Sequence, residues 1–378
     1  MKYFIYTFLN LFFTTSLLFA QIPAEAKDEI NKLFLNYSMN NSPGYAYGIV
    51  IGDELVYSNG VGIANMDYDI PITSKTAFNL ASVSKRFTAS SIAVLIDNGD
   101  ITLEDSLSKF IPEMAKYEYE IQIKHLVYNT SGLTEYYTIP RESKLPWSPF
   151  HYFTIDEAIS SSLSVDSLNF EPGTEWAYVN TNFMILAKIV ENVSGVKFSE
   201  FVRENILLPL KMKNTLVHDD VTTVIKQRAN GYNPRNLDNI EGYKRYGIEL
   251  DNTGEYIQQH RNSPHHGGSG MYSTIEDLAK WSIVANNKSY FSETYHTIMN
   301  STPTFRHNRN NQAFGTYHST YKGINKVSWD GGDWGFSSEL ARFPDQKIAI
   351  ICLANFGNGR AFEKVNQITD ILIKYGVL

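Results

Sequence analysis

The sequence predicts a mixed α+β fold: an antiparallel sheet flanked by helices and built from both ends of the chain, with an all-helical subdomain inserted between them. Three observations predict it. Strand-like runs occur near both ends, amphipathic helices stand at residues 24–38 and 360–375, and helical patterns dominate the region between. The chain has 378 residues, 43% of them hydrophobic, which is enough for a sizeable core.

The N-terminal segment has the pattern of a signal peptide. Lys2 precedes an apolar run over residues 3–20, and the small Ala20 stands before Gln21. A retained anchor is the alternative, because the run is long enough to cross a bilayer. We expect residues 1–20 to be cleaved and residues 21–378 to form a periplasmic or secreted protein with no stable membrane span.

The first part of the sheet precedes the helical region. Alternation and periodicity predict, in order, a helix at 24–38, strands at 47–51, 54–58 and 62–66, and a helix at 87–96. The last helix stops at Asn98-Gly99, a usual C-terminal signal.

The rest of the chain is predicted to contain the helical subdomain and then the remaining strands of the sheet. Residues 100–215 are predicted mainly helical, with the best helix at 182–193, and residues 218–264 are predicted to be an irregular excursion. A helix start at 273–277, strands at about 325–329, 336–343 and 347–354, and a helix at 360–375 follow. The predicted sheet subdomain is therefore 21–96 with 265–378, and the mainly helical subdomain is about 97–264.

Composition excludes some functions. The net charge is −7 and no long basic run exists, which argues against a nucleic-acid partner. The single cysteine, Cys352, excludes an intramolecular disulfide and is predicted to be a buried strand residue. His260, His265 and His266 lack an acid or cysteine at ligand spacing, so we predict no metal and no cofactor.

Ser82 and Lys85 form the first candidate catalytic pair. They stand one turn apart at the start of a predicted helix, on the same face. A serine hydroxyl needs a base, and a lysine becomes one at pH 7 only if burial lowers its pKa at a cost of about 4 kcal/mol. Ser106 with Lys109 has the same spacing, so the apolar surroundings of Ser82 distinguish it.

Two further segments carry polar or flexible groups suited to a site. Tyr178 can relay a proton and Asn180 can hold a substrate carbonyl, just before the helix predicted at 182–193. Trp329-Asp330-Gly331-Gly332 lies between two predicted strands, where glycines leave backbone N–H groups free to receive an oxyanion. A packing tyrosine and a simple glycine turn are the alternatives.

Together the three segments resemble, in order and spacing, the motifs of class C β-lactamases, D-alanyl-D-alanine carboxypeptidases and family VIII esterases. The segments 128–133, 170–174, 267–277 and 335–338 look similar as well, so the resemblance covers about residues 25–375. It implies a β-lactamase/transpeptidase-like fold and two-step acyl transfer without a metal.

Carried over to this sequence, the resemblance implies a role for each motif residue. Ser82 is the nucleophile, Lys85 its base, and Tyr178 a partner in proton transfer. Asn180 orients Lys85 and the substrate carbonyl, and the third motif contacts substrate through Trp329, Asp330 and Gly331. The backbone N–H groups of Ser82 and Gly332 form the oxyanion hole.

The third motif departs from the family pattern. Its first position usually holds Lys or His, whereas Trp329 stands there and a one-residue slip would place Asp330. Neither supplies a cation for a substrate carboxylate, although Arg306, Arg309 or a histidine from elsewhere in the chain could. We therefore predict an exported serine hydrolase of esters or small amides, with a small-molecule substrate. A D,D-carboxypeptidase or β-lactamase, and a non-catalytic protein that binds cell-wall fragments, remain the alternatives.

Overall fold

The computed structural model describes residues 22–38, 41–148, 150–251, 253–259, 262–287, 290–303 and 312–378. The predicted signal segment, His260, Arg306 and Arg309 lie outside these ranges. No helix within them has the length and apolar character needed to cross a membrane.

The described residues form short and medium helices alternating with strands. The α-helices are α1 (Ala24–Lys32), α2 (Leu35–Ser38), α3 (Lys85–Asp97), α4 (Ile123–Val127), α5 (Ile155–Leu163), α6 (Asn180–Ser194), α7 (Phe198–Val202), α8 (Leu237–Lys244), α9 (Ile275–Asn287), α10 (Glu293–Met299) and α11 (Ala361–Lys374). The strands are β1 (Tyr45–Ile51), β2 (Glu54–Val61), β3 (Ile63–Asn65), β4 (Ile70–Pro71), β5 (Phe78–Asn79), β6 (Leu216–Val217), β7 (Gly231–Pro234), β8 (Tyr256–Gln259), β9 (Met271–Ser273), β10 (Gln312–Ala313), β11 (Thr316–Tyr321), β12 (Ile324–Asp333), β13 (Phe336–Phe343) and β14 (Ile348–Ala354).

Seven strands form the main sheet, in the order β10-β11-β12-β13-β14-β1-β2, and every neighbouring pair is antiparallel. Strand β1 pairs with β14, with Tyr47 opposite Cys352, so strands from the two ends of the chain lie side by side inside the sheet. The predicted fold class, an antiparallel sheet built from both termini with helices beside it, is confirmed.

The sheet separates two hydrophobic layers. Alternate residues of β1 and β14, among them Tyr47, Ile49 and Cys352, pack against α1 and α11 on one face. Their neighbours, such as Val50 and Ile351, belong to the larger core with α3, α6 and α9 on the other face. Cys352 is fully buried, as its apolar strand context predicts.

Three element predictions were wrong in part. Residues 218–264 are not simply irregular, because β7 pairs with β8 there and α8 follows. Asn236 caps the start of α8, since its side chain accepts from Asn239 N at 2.9 Å. Residues 100–122 contain short 3₁₀ turns rather than α-helix. Strand β11 was missed. Strand β12 continues four residues beyond the predicted end at residue 329, to Asp333, because β13 supplies pairing partners as far as Phe336.

Asn355 joins four segments at the end of β14. Its Oδ1 accepts from Gly44 N at 2.8 Å, and its Nδ2 donates to Ile63 O at 2.9 Å and to Asn230 O at 3.0 Å. The side chain is fully buried. It therefore satisfies the buried N–H of Gly44 and the carbonyls of two half-buried residues.

We predict that Asn355→Ala lowers the free energy of unfolding by about 2–4 kcal/mol, because it leaves the buried N–H of Gly44 without a partner and removes two further hydrogen bonds to half-buried carbonyls. Urea denaturation followed by circular dichroism measures this. Asn325→Ala is the matched control: its amide bonds Asp345 at the surface, so the loss there should stay within about 0.5 kcal/mol. Equal losses in both variants would contradict the role given to Asn355.

Candidate active site

Ser82 lies in a tight 3₁₀ turn, Ala81–Ser84, directly ahead of α3. The preceding Ala81 has φ +47°, a left-handed backbone that costs an alanine about 1–2 kcal/mol. The turn is held by Asn79, whose Oδ1 accepts from Ala81 N at 2.8 Å. The sharp entry into the helix leaves Ser82 half-buried at a cleft while the residues around it are buried.

Lys85 is completely buried behind Ser82. Its Nζ lies 3.2 Å from Ser82 Oγ, and it donates to Asn180 Oδ1 at 2.8 Å and to Gly268 O at 2.5 Å. A neutral amine has two N–H groups and one lone pair, so two fixed acceptors leave the lone pair for the serine hydroxyl. Burial lowers the pKa of Lys85 to about 7, although Glu135 and Asp333 act in the opposite direction.

Tyr178 contacts Ser82 from another side. Its hydroxyl oxygen lies 2.7 Å from Ser82 Oγ, and its ring centroid is 4.9 Å from Lys85 Nζ. Burial raises the pKa of the Tyr178 phenol, and Glu135, Asp330 and Asp333 add to this, whereas the hydrogen bond with Ser82 lowers it. The phenol therefore stays protonated near neutral pH, and Lys85 is the group able to accept a proton.

Glu135 is the site residue that the sequence analysis missed. Its Oε2 accepts from both Asn180 N at 2.5 Å and Asn180 Nδ2 at 3.1 Å, and its Oε1 accepts from Thr181 Oγ1 at 2.9 Å. Since the Nδ2 group faces this carboxylate, Oδ1 must be the atom that faces Lys85. Glu135 follows a segment that resembles the family, residues 128–133, but nothing in the sequence links it to Asn180.

The third motif lies inside a strand rather than in a turn. Gly331 and Gly332 belong to β12, opposite Ser338 and Ser337 of β13, which excludes the glycine-turn alternative. A Cβ on Gly331 would stand 2.7 Å from Leu80 O and 2.9 Å from Ser82 N, so only glycine lets β12 run against the nucleophile turn. Gly332 is exposed and lines the cleft beside Ser82.

Among the residues that the structure describes, none supplies a cation at the start of the third motif. Trp329 is 2% exposed and stacks on Tyr317 with ring centroids 4.6 Å apart. Asp330 is exposed and opens, with Ser82 and Tyr178, into a side pocket of about 370 Å³. Asp333, at the end of β12, accepts from Asn79 Nδ2 at 3.3 Å and from Ser269 Oγ at 3.2 Å. Two carboxylates, Asp330 and Asp333, therefore stand at this edge of the site.

The main cleft over Ser82 has a volume of about 930 Å³. Aromatic and basic side chains dominate its outer wall: Tyr136, Tyr137, Arg141, Lys144, Trp147, Phe153, Arg245 and Trp334. Most of them come from residues 136–153, not from the excursion at 218–264.

Two of the histidines considered as metal ligands are described. His265 lines the cleft against Phe153, and burial lowers the pKa of His266. Across the described ranges, no three His, Cys, Asp or Glu side chains are grouped as a metal site.

Comparison with known proteins agrees with this geometry. Residues 27–372 match the family described as Beta-lactamase. The chain is 31% identical to "Penicillin-binding protein 4*" of Bacillus subtilis (strain 168) over 175 residues, which are 44% of this chain and 36% of that protein. It is 30% identical to a "D-aminopeptidase" of Gluconobacter oxydans (strain 621H) over 176 residues, 46% and 32% of the two chains.

The aligned regions thus span about a third of the length of these two relatives. Among solved structures, the D-amino acid amidase from Ochrobactrum anthropi SV3 superposes with a TM-score of 0.76 at 19% identity, over 93% of this chain and 99% of that one. This likeness shows the fold, and the family predicted from the three motifs is confirmed by the match over residues 27–372.

We predict that kcat/KM for a neutral ester rises with pH through an apparent pKa near 7 and is flat above it. Below that pH Lys85 is protonated and has no lone pair for the Ser82 proton, and above it the free amine predominates. Initial rates with p-nitrophenyl butyrate at constant ionic strength between pH 5.5 and 9 test this. A rate that is still rising steeply at pH 9 would instead indicate a lysine with an ordinary pKa.

We predict that Glu135→Gln lowers kcat by about tenfold or more and moves the rising limb to lower pH. The substitution removes the negative charge that raises the pKa of Lys85. It also weakens the hydrogen bond that orients the side-chain amide of Asn180. Glu171→Gln, an exposed glutamate, is the control and should leave the profile unchanged. A loss of rate without any movement of the limb would assign Glu135 a purely structural role.

Proposed function

This chain belongs to the beta-lactamase family, and we propose that it is a serine hydrolase that forms an acyl-enzyme on Ser82. One observation carries the proposal. The Lys85 Nζ is held between Ser82 Oγ and Asn180 Oδ1, while the Tyr178 hydroxyl reaches the same Ser82 oxygen. A protein that only bound cell-wall fragments would have no use for a buried amine beside a serine.

In the first step the free amine of Lys85 takes the Ser82 proton as Oγ bonds to the substrate carbonyl carbon. The carbonyl oxygen becomes an oxyanion and is received by the backbone N–H groups of Ser82 and Gly332. The intermediate collapses when the bond to the leaving group breaks. The leaving oxygen or nitrogen takes the Tyr178 proton, and Tyr178 regains one from the Lys85 ammonium.

The second step reverses the proton movements. A water molecule gives one proton to Lys85 and bonds to the acyl carbon, and the tetrahedral intermediate then expels Ser82 Oγ. Ser82 recovers its proton and the carboxylic acid leaves. Asn180, oriented by Glu135, keeps the Lys85 lone pair directed at Ser82 through both steps.

We propose that the substrates are esters and small amides. The part of the substrate that lies beside Trp329 and Asp330, at the third-motif end of the site, carries no carboxylate. Asp330 and Asp333 give this end of the site a negative potential, and Trp329 occupies the position where the family usually has a cation. The same acids favour a substrate with a free amine. The similarity to a D-aminopeptidase and to the fold of a D-amino acid amidase supports that second candidate.

A D,D-carboxypeptidase or β-lactamase activity is the rival, and the similarity to a penicillin-binding protein supports it. Both substrates carry a carboxylate, which needs a cation. Arg141 lines the cleft, but its Nε and Nη2 already donate to Glu157 Oε1 at 3.0 and 2.8 Å. Lys144 and Arg245 also line the cleft. None of the described residues that line the side pocket beside Ser82, however, is a Lys or Arg. The esterase and amidase proposal therefore accords better with the third-motif end of the site.

We also propose that the protein is exported from the cytoplasm. The pattern of residues 1–20 supports a cleaved signal peptide and a periplasmic or secreted enzyme. Mass spectrometry of the protein from fractionated cells tests this, since a mature N-terminus at Gln21 outside the cytoplasm is the expected result. An intact N-terminus in the membrane fraction would instead indicate an anchor.

We predict that Ser82→Ala abolishes hydrolysis of p-nitrophenyl acetate and butyrate, whereas Ser106→Ala, which alters a serine with the same spacing to a lysine, retains it. Intact-mass analysis should show an acyl adduct on the wild type alone. Rapid cleavage of a chromogenic cephalosporin, or a long-lived penicillin adduct on Ser82, would favour the cell-wall activity. Equal inactivity of wild type and Ser82→Ala toward all substrates would favour the binding protein.

We predict that Asp330→Asn lowers kcat/KM for D-phenylalanine p-nitroanilide about three- to tenfold and leaves the butyrate ester nearly unchanged, because an exposed carboxylate attracts an ammonium only modestly. Raising the salt concentration should reduce the difference. Asp345→Asn, which alters a carboxylate in the turn between β13 and β14, is the control. Equal effects on the charged and the neutral substrate would show that Asp330 does not recognise the substrate amine.

A further inference from the structure

Two arginines are buried together outside the candidate active site. Arg86 follows Lys85 in α3 and is 2% exposed, and Arg342 in β13 is 4% exposed. Both line a small cavity of about 20 Å³ between α3, α9, α10 and β13. Trp281 and Tyr295 complete its wall. None of these residues lines the cleft over Ser82.

Neither guanidinium has a carboxylate partner among the described residues. The Nε and Nη1 atoms of Arg86, the Nε of Arg342 and the indole N–H of Trp281 are buried without a hydrogen-bond acceptor there. Arg342 Nη1 donates only to a backbone carbonyl, Ala285 O, at 3.2 Å. The segments outside the described ranges contain no Asp or Glu at all, so they cannot supply the missing charge.

The protein side chains around the cavity do not neutralise the pair. Burial lowers the pKa of Arg86 to about 9, with Arg342 contributing, and burial lowers that of Arg342 to about 10, so both carry a charge at pH 7. Burial raises the pKa of Tyr295 to about 12, which keeps its hydroxyl neutral, and that hydroxyl lies 2.5 Å from Ser90 Oγ. His296 lines the cavity, and the nearby His318 has its pKa lowered by burial and by both arginines, so neither brings negative charge.

Buried charges in proteins are paired or bound to a counter-ion, because the loss of hydration is otherwise uncompensated. We propose that Arg86 and Arg342 hold a small monovalent inorganic anion, with chloride as the physiological ligand, in the cavity between α3 and β13. The unpartnered N–H groups of both arginines and of Trp281 are its donors. A volume of about 20 Å³ admits one water molecule or one monatomic ion. Sulfate, phosphate and carboxylate metabolites are too large.

The anion would act on stability rather than on chemistry. Arg86 stands one residue after Lys85, and Arg342 belongs to the strand that pairs with β12, so an ion between them connects the helix of the lysine to the sheet of the third motif. The proposal does not depend on the proposed hydrolase activity, because it is tested by unfolding.

The test is thermal unfolding of the purified protein at constant ionic strength, with sodium gluconate replaced stepwise by sodium chloride from 0.1 to 200 mM. Gluconate is too large for the cavity. The unfolding midpoint of the wild type should rise by about 2 °C for each tenfold increase in chloride above its Kd. Arg86→Met and Arg342→Met should each lose this dependence. Arg203→Met, at an exposed arginine, should keep it.

A midpoint of the wild type that does not respond to chloride, or a response that Arg86→Met retains, would overturn the proposal and leave the cavity to a water molecule. If the variants do not fold, crystals of the wild type grown with sodium bromide decide. An anomalous peak between the two guanidinium groups supports the anion, and the absence of such a peak refutes it.

Discussion

Burial of the Lys85 amine is the constraint on which the rest of the site depends. An ammonium group in the interior is costly unless its partners are already in place. Here they come from the adjoining turn, through Ser82, and from two distant segments, through Asn180 and Gly268. Burial disfavours the charged ammonium and lowers the pKa of Lys85, and this makes the amine a base near neutral pH. Stability and reactivity at this position are therefore set by one physical effect.

The sheet and the helices are arranged so that these segments can meet. Strand β12 passes so close to the Ser82 turn that a side chain at Gly331 would collide with it, and the short pairing of β5 with β9 brings residues 267–273 to the same place. Helix α6 begins at Asn180, and Glu135 binds both the backbone and the side-chain amide of that residue. The position of the amine thus rests on backbone contacts that tolerate little change.

Charge is distributed unevenly around this centre. The third-motif end is acidic through Asp330 and Asp333, whereas the outer wall of the cleft carries Arg141, Lys144 and Arg245. Behind α3, the uncompensated pair Arg86 and Arg342 lies in the interior. The cleft therefore has basic groups at its outer wall and acidic groups beside the nucleophile, and the proposed ester and amide substrates are inferred from this arrangement.

The sequence by itself determined the family, the fold class and the strands that form the centre of the sheet, because local periodicity and three spaced motifs are properties of contiguous residues. It also indicated Ser82, Lys85, Tyr178 and Asn180, which the structure brings into one hydrogen-bonded cluster. It did not reveal Glu135, the strand placement of Gly331, the hairpin within residues 218–264 or the arginine pair. Each of those depends on which distant segments become neighbours and on what burial does to a charge. Only the tertiary structure decides both, since a pKa and a hydrogen-bond partner belong to an environment and not to a residue.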